Sequence, residues 1–471
     1  MALAHNKENP IIVGLDIGTT KIAAIVARRD QFGKLQILGL GKAQSFGVTR
    51  GEVTNIKHTT DAILEAVADA EKQSGHKINV VYVGIAGQHI ASKQNRGIYT
   101  LPNAEEEITR QHIKDMVEDM HRLALDPGER IIHVLPQEFS VDKMHAIKDP
   151  IGMCGSRLEA NFHIITGKVA AAQNIKKCVE RAGLNMLGLV LEPLASSASV
   201  LHDDEMEAGV VLVDIGGGTT DVAIFKDGII RHTAVIPFAG NIITEDIMEG
   251  CKLLRPQAEK LKVAFGSALP NETHENEIIS IPGIAGRDRK EISMRTLAHV
   301  INARIEEIFA QVYFEIKSSG YSNSLNAGIV VTGGGSQLKH LKQLVEYTTG
   351  LSTRIGYPTS YLAKNNKDEL KNPMYATGIG LVLKGYDEVD EMSEVERLKL
   401  FAPTEQEVVI EVTKTVVTET EAETEMIVED DTVVTNEEET ATKKRKGNLL
   451  QQMFSSVKNW FEDENVNGDF Q

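Results

Sequence analysis

Short apolar runs rich in β-branched residues recur along residues 1–385: IIVGLDI at 11–17, VVYVGIAG at 80–87, VVLVDIGG at 210–217 and AGIVVTGGG at 327–335. Longer windows carry apolar residues at helical spacing, among them TDAILEAVADAEKQSG at 60–75 and HVINARIEEIFAQVYFEIKSSG at 299–320. Strand-sized runs alternating with windows of period 3.6 predict a folded α/β body. Glycines close several of the runs, where the chain has to turn sharply.

The pattern changes at residue 386. Over 386–442 acids, Thr and Val recur in a biased order, as in VTKTVVTETEAETE at 412–425, with Phe401 and Pro403 as the aromatic and the proline after Tyr386. So polar a stretch buries too little apolar area to offset its ordering entropy, which predicts a disordered linker. The alternation in VVIEVTKTVV also permits a strand pair. As a flexible chain the segment would span roughly 40 Å, and more if its like charges stretch it. Residues 443–471 differ again. Lys443, Lys444, Arg445 and Lys446 come first, then Leu449, Leu450, Met453, Phe454, Val457, Trp460 and Phe461 fall on one stripe of a helix. The stripe is too short to span a bilayer and holds the chain's one Trp, a residue suited to the headgroup boundary. The basic cluster beside it favours anionic lipid. We read the stripe as an interfacial membrane helix, in preference to one docked on the body or paired in a coiled coil.

Composition sharpens this picture in one respect. The net charge of −17 is localised: residues 386–442 hold 19 acids and 3 bases, whereas residues 1–385 hold 44 acids and 42 bases. The body is therefore near neutral and lacks the basic bulk that suits nucleic acid. Apolar residues make up 42% and charged residues 25%, a soluble globular balance. No apolar run approaches the length of a membrane span, and the N-terminus has no basic region followed by an apolar core, so no secretory signal is expected. Cys154, Cys178 and Cys251 stand far apart without a CxxC pair, which argues against a disulfide scaffold or structural zinc and fits a reducing cytosol.

Candidate chemistry begins with a duplication. VGLDIGTTKIAAIV at 13–26 recurs as LVDIGGGTTDVAIF at 212–225, with Asp16 and Asp214 in register 198 residues apart. Each copy reads as a strand, an Asp, a glycine-containing turn with Thr-Thr, and a second strand. Glycines let backbone N–H groups approach phosphate oxygens, and threonine hydroxyls add hydrogen bonds. Lys21 can neutralise a phosphate oxygen. A carboxylate beside phosphates calls for a hard cation, so Asp16 and Asp214 imply Mg²⁺, held through its waters. One such turn would be an ordinary hairpin; two at domain-scale separation point to a nucleotide clamp. No GxxxxGK[ST] sequence offers the P-loop route. VTGGGSQLKHLKQLVEYTTG at 331–350 places Gly333, Gly334 and Gly335 between a strand and a helix, where a nucleoside or phosphate could sit at the helix N-terminus. In LEPLASSASVL at 191–201, Glu192 ends a strand and could orient a water, or could simply cap the small-residue helix that follows. Glu259 and Lys262 share a helix face in 244–268, as ribose contacts or as an exposed ion pair. His202–Glu205 reads as a solvated loop rather than a metal site.

In this order the DIGTT hairpin, EP-small helix, DIGGGTTD hairpin, AEKLK helix and TGGG loop resemble the actin, Hsp70 and sugar-kinase superfamily. Within it the chain is most similar to the FtsA family of bacterial cell-division proteins. The segment 85–165, with GIAGQHI, EEEITRQHI, LPQEFSVD and IKDPIGMCGSRLEANFHIITG, resembles that family's inserted subdomain. IPGIAGRDRKEISMRTLAHVINARIEEI at 281–308 resembles its partner-binding subdomain. The resemblance implies a two-lobed, duplicated actin-like fold: 1–84 and 166–207 in the first lobe, 85–165 inserted, 208–355 in the second lobe with a partner-binding part at about 240–320, and 356–385 returning to the first. It further implies ATP with Mg²⁺, weak hydrolysis, an actin-like polymer, and tethering of FtsZ, through its C-terminal peptide, to the cytoplasmic face of the inner membrane at the septum, alongside other division proteins. By motif match Asp16, Gly18, Thr19, Thr20 and Lys21 belong to the first phosphate loop, and Asp214, Gly216, Gly217, Gly218 and Thr219 to the second. Glu192 matches the water-orienting carboxylate, Gly333–Gly335 the adenosine loop, and Glu259 with Lys262 the ribose contacts. Arg287, Arg295 and Arg304 are candidates to meet an acidic partner peptide. The rival readings are a small-molecule kinase of the same superfamily, an Hsp70-like chaperone and an MreB-like scaffold.

Overall fold

The computed structural model describes residues 10–393, apart from 275 and 284–287, together with Arg397 and Leu400. The expected membrane residues Lys443 to Phe461, almost all of the acidic linker, and Arg287 lie outside the described residues. By its contacts the chain forms two units: a body up to Ile279 and from Ile292 to Glu394, and a second unit comprising Ser280–Glu291 and the residues from Val395 on. The body carries the features that follow.

Its frame is one topology used twice. In the first sheet the strand order is Leu35–Gln44, Lys21–Arg29, Ile12–Ile17, Val80–Ile85, Asn185–Leu191. In the second it is Ile229–Ile236, Thr220–Lys226, Val210–Ile215, Gly328–Thr332, Thr353–Ile355. Each begins as an antiparallel meander and continues as parallel strands. The central strands are buried on both faces, which is why they read as unbroken apolar runs rather than alternating ones. Helix Ile56–Ser74 covers the first sheet; Asn55 caps its start by accepting from the His58 N–H at 3.1 Å, and Gly75 ends it at φ 72°.

An antiparallel sheet of four strands is inserted after the Val80–Ile85 strand, in the order Ala91–Thr100, Arg157–Lys168, Glu129–Val141, Met144–Ile147. Helix Arg110–His121 packs on it around Met116, Met120, Leu158 and Phe162. The insertion also meets the second sheet: Gln137 donates to the Ile230 carbonyl at 2.9 Å, the Arg231 guanidinium pairs with Glu138 at 2.7 Å, and His163 lies 3.2 Å from the Thr233 hydroxyl.

Helix Ala376–Glu391 returns to the first sheet and crosses helix Glu192–Val200 so closely that a Cβ on Gly380 would lie 1.8 Å from the Ala195 carbonyl oxygen. This helix corrects the sequence reading, which starts the linker at 386. Tyr386 and Val389 are buried, and the Tyr386 hydroxyl donates to the Pro10 carbonyl at 2.6 Å while accepting from the Arg29 N–H at 2.8 Å. The acids among them (Asp387, Glu388, Asp390, Glu391) gave that turn the composition of the linker. Residues 203–208 form a short helix rather than a loop, with Glu205 bound to the Arg354 guanidinium.

Candidate functional site

Both hairpin turns line a single cavity of about 450 Å³ in the body, together with Glu192, Glu259, Lys262, Gly333, Gly334 and Gly335. The predicted site residues thus converge, although they span most of the described sequence.

The turns are four-residue loops of equal length. The Gly18 N–H donates to the Lys21 carbonyl at 3.1 Å, and the Gly216 N–H to the Thr219 carbonyl at 2.9 Å. Strand pairing joins Ile17 to Ile22 and Ile215 to Thr220, so Lys21 occupies the place of Thr219 and the two Thr-Thr pairs are not equivalent. Thr19 and Thr20 face Gly217 and Gly218 instead. A Cβ at Gly217 would fall 2.0 Å from Thr20 Oγ1, and one at Gly218 2.5 Å from Thr19 Oγ1. The second loop's glycines therefore make room for the first loop's hydroxyls. Thr220, one residue into its strand, is buried and donates to the Phe238 carbonyl at 2.7 Å.

Gly333 sits at φ 82°, a conformation that suits glycine, and a Cβ there would strike Asp214 Oδ1 at 2.2 Å. The segment after it differs from expectation: Gly334–Gln337 forms a 3₁₀ turn and the α-helix begins only at Leu341. A helix N-terminus at the cavity belongs to Gly240–Cys251, whose Gly240 and Asn241 N–H groups donate to the Gly216 and Gly217 carbonyls at 3.1 and 2.8 Å. The sequence reading missed that contact.

Charge is concentrated at the cleft floor. Asp16, Asp214 and Asp221 are buried and Glu192 stands among them at the start of its helix. Lys21 Nζ lies 3.1 Å from Asp16 Oδ2 and 5.0 Å from the Tyr375 ring centre. Asp214 Oδ2 accepts from the Ser196 hydroxyl at 2.5 Å and from the Thr377 hydroxyl at 3.3 Å. Asp221 pairs across the hairpin with Asp214; its Oδ2 accepts from Thr219 at 3.2 Å, while its Oδ1 is buried without a partner among the described residues. Burial, then the nearby Asp214 charge, pushes the Asp221 carboxyl up to about 8. Burial, followed by the charges of Asp16, Asp221 and Asp214, raises Glu192 well above the usual carboxylate range, against a smaller opposing pull from Lys21. Asp214 is raised too, chiefly by burial. Sequence reasoning missed Asp221, Ser196 and Thr377. The Asp at the end of DIGGGTTD was the available signal for the first; the hydroxyls of ASSAS looked like packing residues.

This donor set fits a divalent cation held at a distance. Glu192 lies within the field of the Asp16, Asp221 and Asp214 charges with Lys21 as the one opposing cation, and an Asp221 oxygen is buried without a partner among the described residues, so added positive charge would relieve the cluster. Among the described residues no three carboxylate, histidine or cysteine side chains converge as direct metal ligands.

Beside Gly240, whose N–H meets the second turn, Lys262 Nζ is bonded to the Gly240 carbonyl at 2.9 Å, Thr244 Oγ1 at 2.8 Å and Glu259 Oε2 at 2.8 Å. The expected ion pair and the expected cavity position are both present, but the ammonium's donors are already engaged within the protein. Of the candidate partner residues, Arg295 and Arg304 lie on helix Met294–Ser318. Arg304 is committed to a bidentate pair with Asp246 at 2.6 and 2.9 Å, and also bonds Glu307.

Two duplicated lobes with an inserted subdomain define an actin-like fold, and likeness to known proteins agrees. The solved PilM–PilN type IV pilus biogenesis complex superposes with a TM-score of 0.60 at 16% identity, covering 79% of this chain and 98% of that one. The family "Cell division protein FtsA" matches residues 211–380, "SHS2 domain inserted in FTSA" residues 87–166, and "Hsp70 protein" residues 170–234. Cell division protein FtsA of Pseudomonas aeruginosa is 40% identical over 383 residues, 81% of this chain and 91% of that protein. Its Escherichia coli K12 counterpart is 36% identical over 385 residues, 80% and 91%. The chain belongs to the FtsA family of cell-division proteins.

Proposed function

We propose that the cleft binds ATP with Mg²⁺ and that the nucleotide acts mainly as a conformational switch for assembly of the chain into an actin-like polymer. The observation that carries this reading is the meeting of two glycine–threonine turns around one cavity with four carboxylates beside them. Backbone N–H groups of Thr19–Lys21 and Gly217–Thr219, the hydroxyls of Thr19 and Thr20, and Lys21 would hold the phosphates; Asp16 and Asp214 would hold the cation through its waters. The cation would neutralise phosphate charge that these carboxylates otherwise repel. Glu192, with its raised proton affinity, is suited to orient a water and take its proton. Gly333–Gly335 would border the nucleoside.

In the division process this chain would tether FtsZ filaments to the cytoplasmic face of the membrane, taking the FtsZ C-terminal peptide on the second lobe near Arg295 and Arg304. The basic stripe of residues 443–461 would supply a reversible lipid contact that polymerisation multiplies. No helix among the described residues is long and apolar enough to cross a membrane, so attachment of this kind would be peripheral. Other division proteins would join the same assembly.

Calorimetric titration with Mg-ATP tests the nucleotide reading: saturable binding by wild type and loss of at least tenfold in affinity for Asp214→Ala are expected, at about 1.4 kcal/mol per tenfold. Absence of binding by wild type would overturn it. Pull-down with an FtsZ C-terminal peptide tests the partner reading, with Arg304→Glu as the weakened variant.

A further inference from the structure

The insertion touches the cleft machinery at two separate points, through the buried His89 and the half-buried His133. The first lies where the chain enters the insertion. Gly87, at φ 123°, precedes His89, whose ring is enclosed; a Cβ at Gly87 would lie 2.9 Å from His89 Nδ1, and one at the exit residue Gly167 3.4 Å from His89 Cδ2. The ring thus sits between the two strands that join insertion to body. Its Nδ1 is 3.1 Å from Glu52 Oε1. Glu52 follows the left-handed turn Arg50–Gly51, with φ 50° and 76°. That turn is packed against both phosphate loops: the Gly51 N–H donates to Thr19 Oγ1 at 3.2 Å, and a Cβ at Gly218 would lie 3.0 Å from Arg50 Cα.

The second point is His133, on strand Glu129–Val141 of the insertion. Its Nε2 accepts the Leu191 N–H at 3.0 Å. Leu191 ends the edge strand of the first sheet and is the N-cap of the helix that starts with Glu192. The His133 ring satisfies an edge N–H that would otherwise be buried without a partner, at the residue before the reactive carboxylate. Burial, with Lys384 and His121 as lesser causes, lowers His133 to about 4, so it stays a neutral acceptor.

We propose that His133 and His89 are positioning residues through which the inserted subdomain and the phosphate site set each other's geometry: His133 holds the start of the Glu192 helix, and His89, by way of Glu52, holds the Arg50–Gly51 turn against Thr19 and Gly218. A shift of the insertion about Gly87 and Gly167 loosens both. By linkage, the nucleotide state that tightens these contacts also favours one position of the insertion. The inference rests on the reading of the cleft as an ATP site.

The test is amide hydrogen exchange of the full-length protein with Mg-ATP and with Mg-ADP, alongside ATP affinity and turnover, in wild type, His133→Leu, His133→Gln and Glu192→Gln. In wild type ATP slows exchange relative to ADP in peptides spanning 85–92 and 129–135. His133→Leu loses that difference and about tenfold in turnover, with ATP affinity within about threefold of wild type. His133→Gln, whose amide oxygen can accept the same N–H, restores both. Combining His133→Leu with Glu192→Gln adds no further loss. An exchange pattern in the insertion indifferent to nucleotide in a wild type that binds ATP overturns the proposal, as does a fully responsive His133→Leu. Failure of wild type to bind ATP is a different result and overturns the site reading instead. Should His133→Leu not fold, the wild-type response and the His133→Gln variant decide the matter.

Discussion

At the scale of single residues the cleft places mutually repelling carboxylates where a cation would stabilise them. Glu192 fits its niche because Gly84 lacks a side chain: a Cβ there would come within 3.0 Å of Glu192 Cγ. Glu192→Gln is expected to reduce ATP turnover by about 10²-fold with little change in affinity, the signature of a general base. Gly84→Ala should act in the same direction by displacing Glu192, measured in the same single-turnover assay. Asp221 gives a pH prediction. Its folded carboxyl titrates at about 8 against an ordinary value of 3.8, so the folded state holds a proton that the unfolded chain releases much earlier. The protonated carboxyl's advantage is complete below the ordinary value and is lost as pH rises through about 8. Nucleotide-free protein should therefore lose thermal stability as pH rises from about 4 to about 8, with the loss levelling off above that. Asp221→Asn should flatten that slope and gain about 1 kcal/mol or more at pH 8, read by urea denaturation. An Asn variant with the wild-type slope would place the titration elsewhere. That the turn glycines and Asp16, Asp214 and Glu192 would share one cavity was legible because backbone approach and charge leave residue-type signatures. Ser196 and Thr377 were not: their hydroxyls act across elements that only the fold brings together.

At the scale of elements, what sequence conveys depends on how strongly burial writes a period. The central strands of both sheets, apolar throughout, were plain, and so was the doubling of the hairpin. Its register was not, because DIGTTK and DIGGGTTD align by letters on Thr-Thr but by hydrogen bonding on loop length. The last helix was cut short in the sequence reading because two buried residues, Tyr386 and Val389, are interleaved with acids that point outward. Truncation after residue 385 should consequently cost about 3–5 kcal/mol, the scale for removing a buried aromatic, and should be visible as a lower urea midpoint. A protein ending at Leu400 should keep the midpoint of the full chain. The insertion has an acid weakness of its own. His133 and His163 are held neutral at its contacts with the body, each lowered from 6.5 to about 4, chiefly by burial. Their contribution is intact above the ordinary value and disappears as pH falls from 6.5 towards 4. Exchange protection in 129–135 and 160–166 should therefore fade over that window before the first sheet opens.

At the scale of the whole molecule the proposed nucleotide, polymer and lipid contacts form one chain of linkage. The lobes already share polar contacts at the site, since Ser196 on the first-lobe helix and Thr377 on the returning helix both donate to Asp214 of the second sheet. A ligand bound between such elements stabilises the closed body by its mass action, about 2.7 kcal/mol at one hundred times its dissociation constant. An interfacial helix of the length of the 449–461 stripe binds lipid weakly by itself. Several copies on one polymer bind far more tightly, because after the first contact the others attach at high effective concentration. The full chain should accordingly sediment with vesicles containing anionic lipid, more so with Mg-ATP than with Mg-ADP, and less as salt rises, since the Lys443–Lys446 cluster is screened. A chain ending at Leu400 keeps the helix that packs on the first sheet, so its behaviour isolates the tail. It should still bind ATP with the affinity of the full chain and should remain in the supernatant with every vesicle composition. If it pelleted with anionic vesicles as the full chain does, lipid attachment would belong to the body and the basic stripe would have another partner.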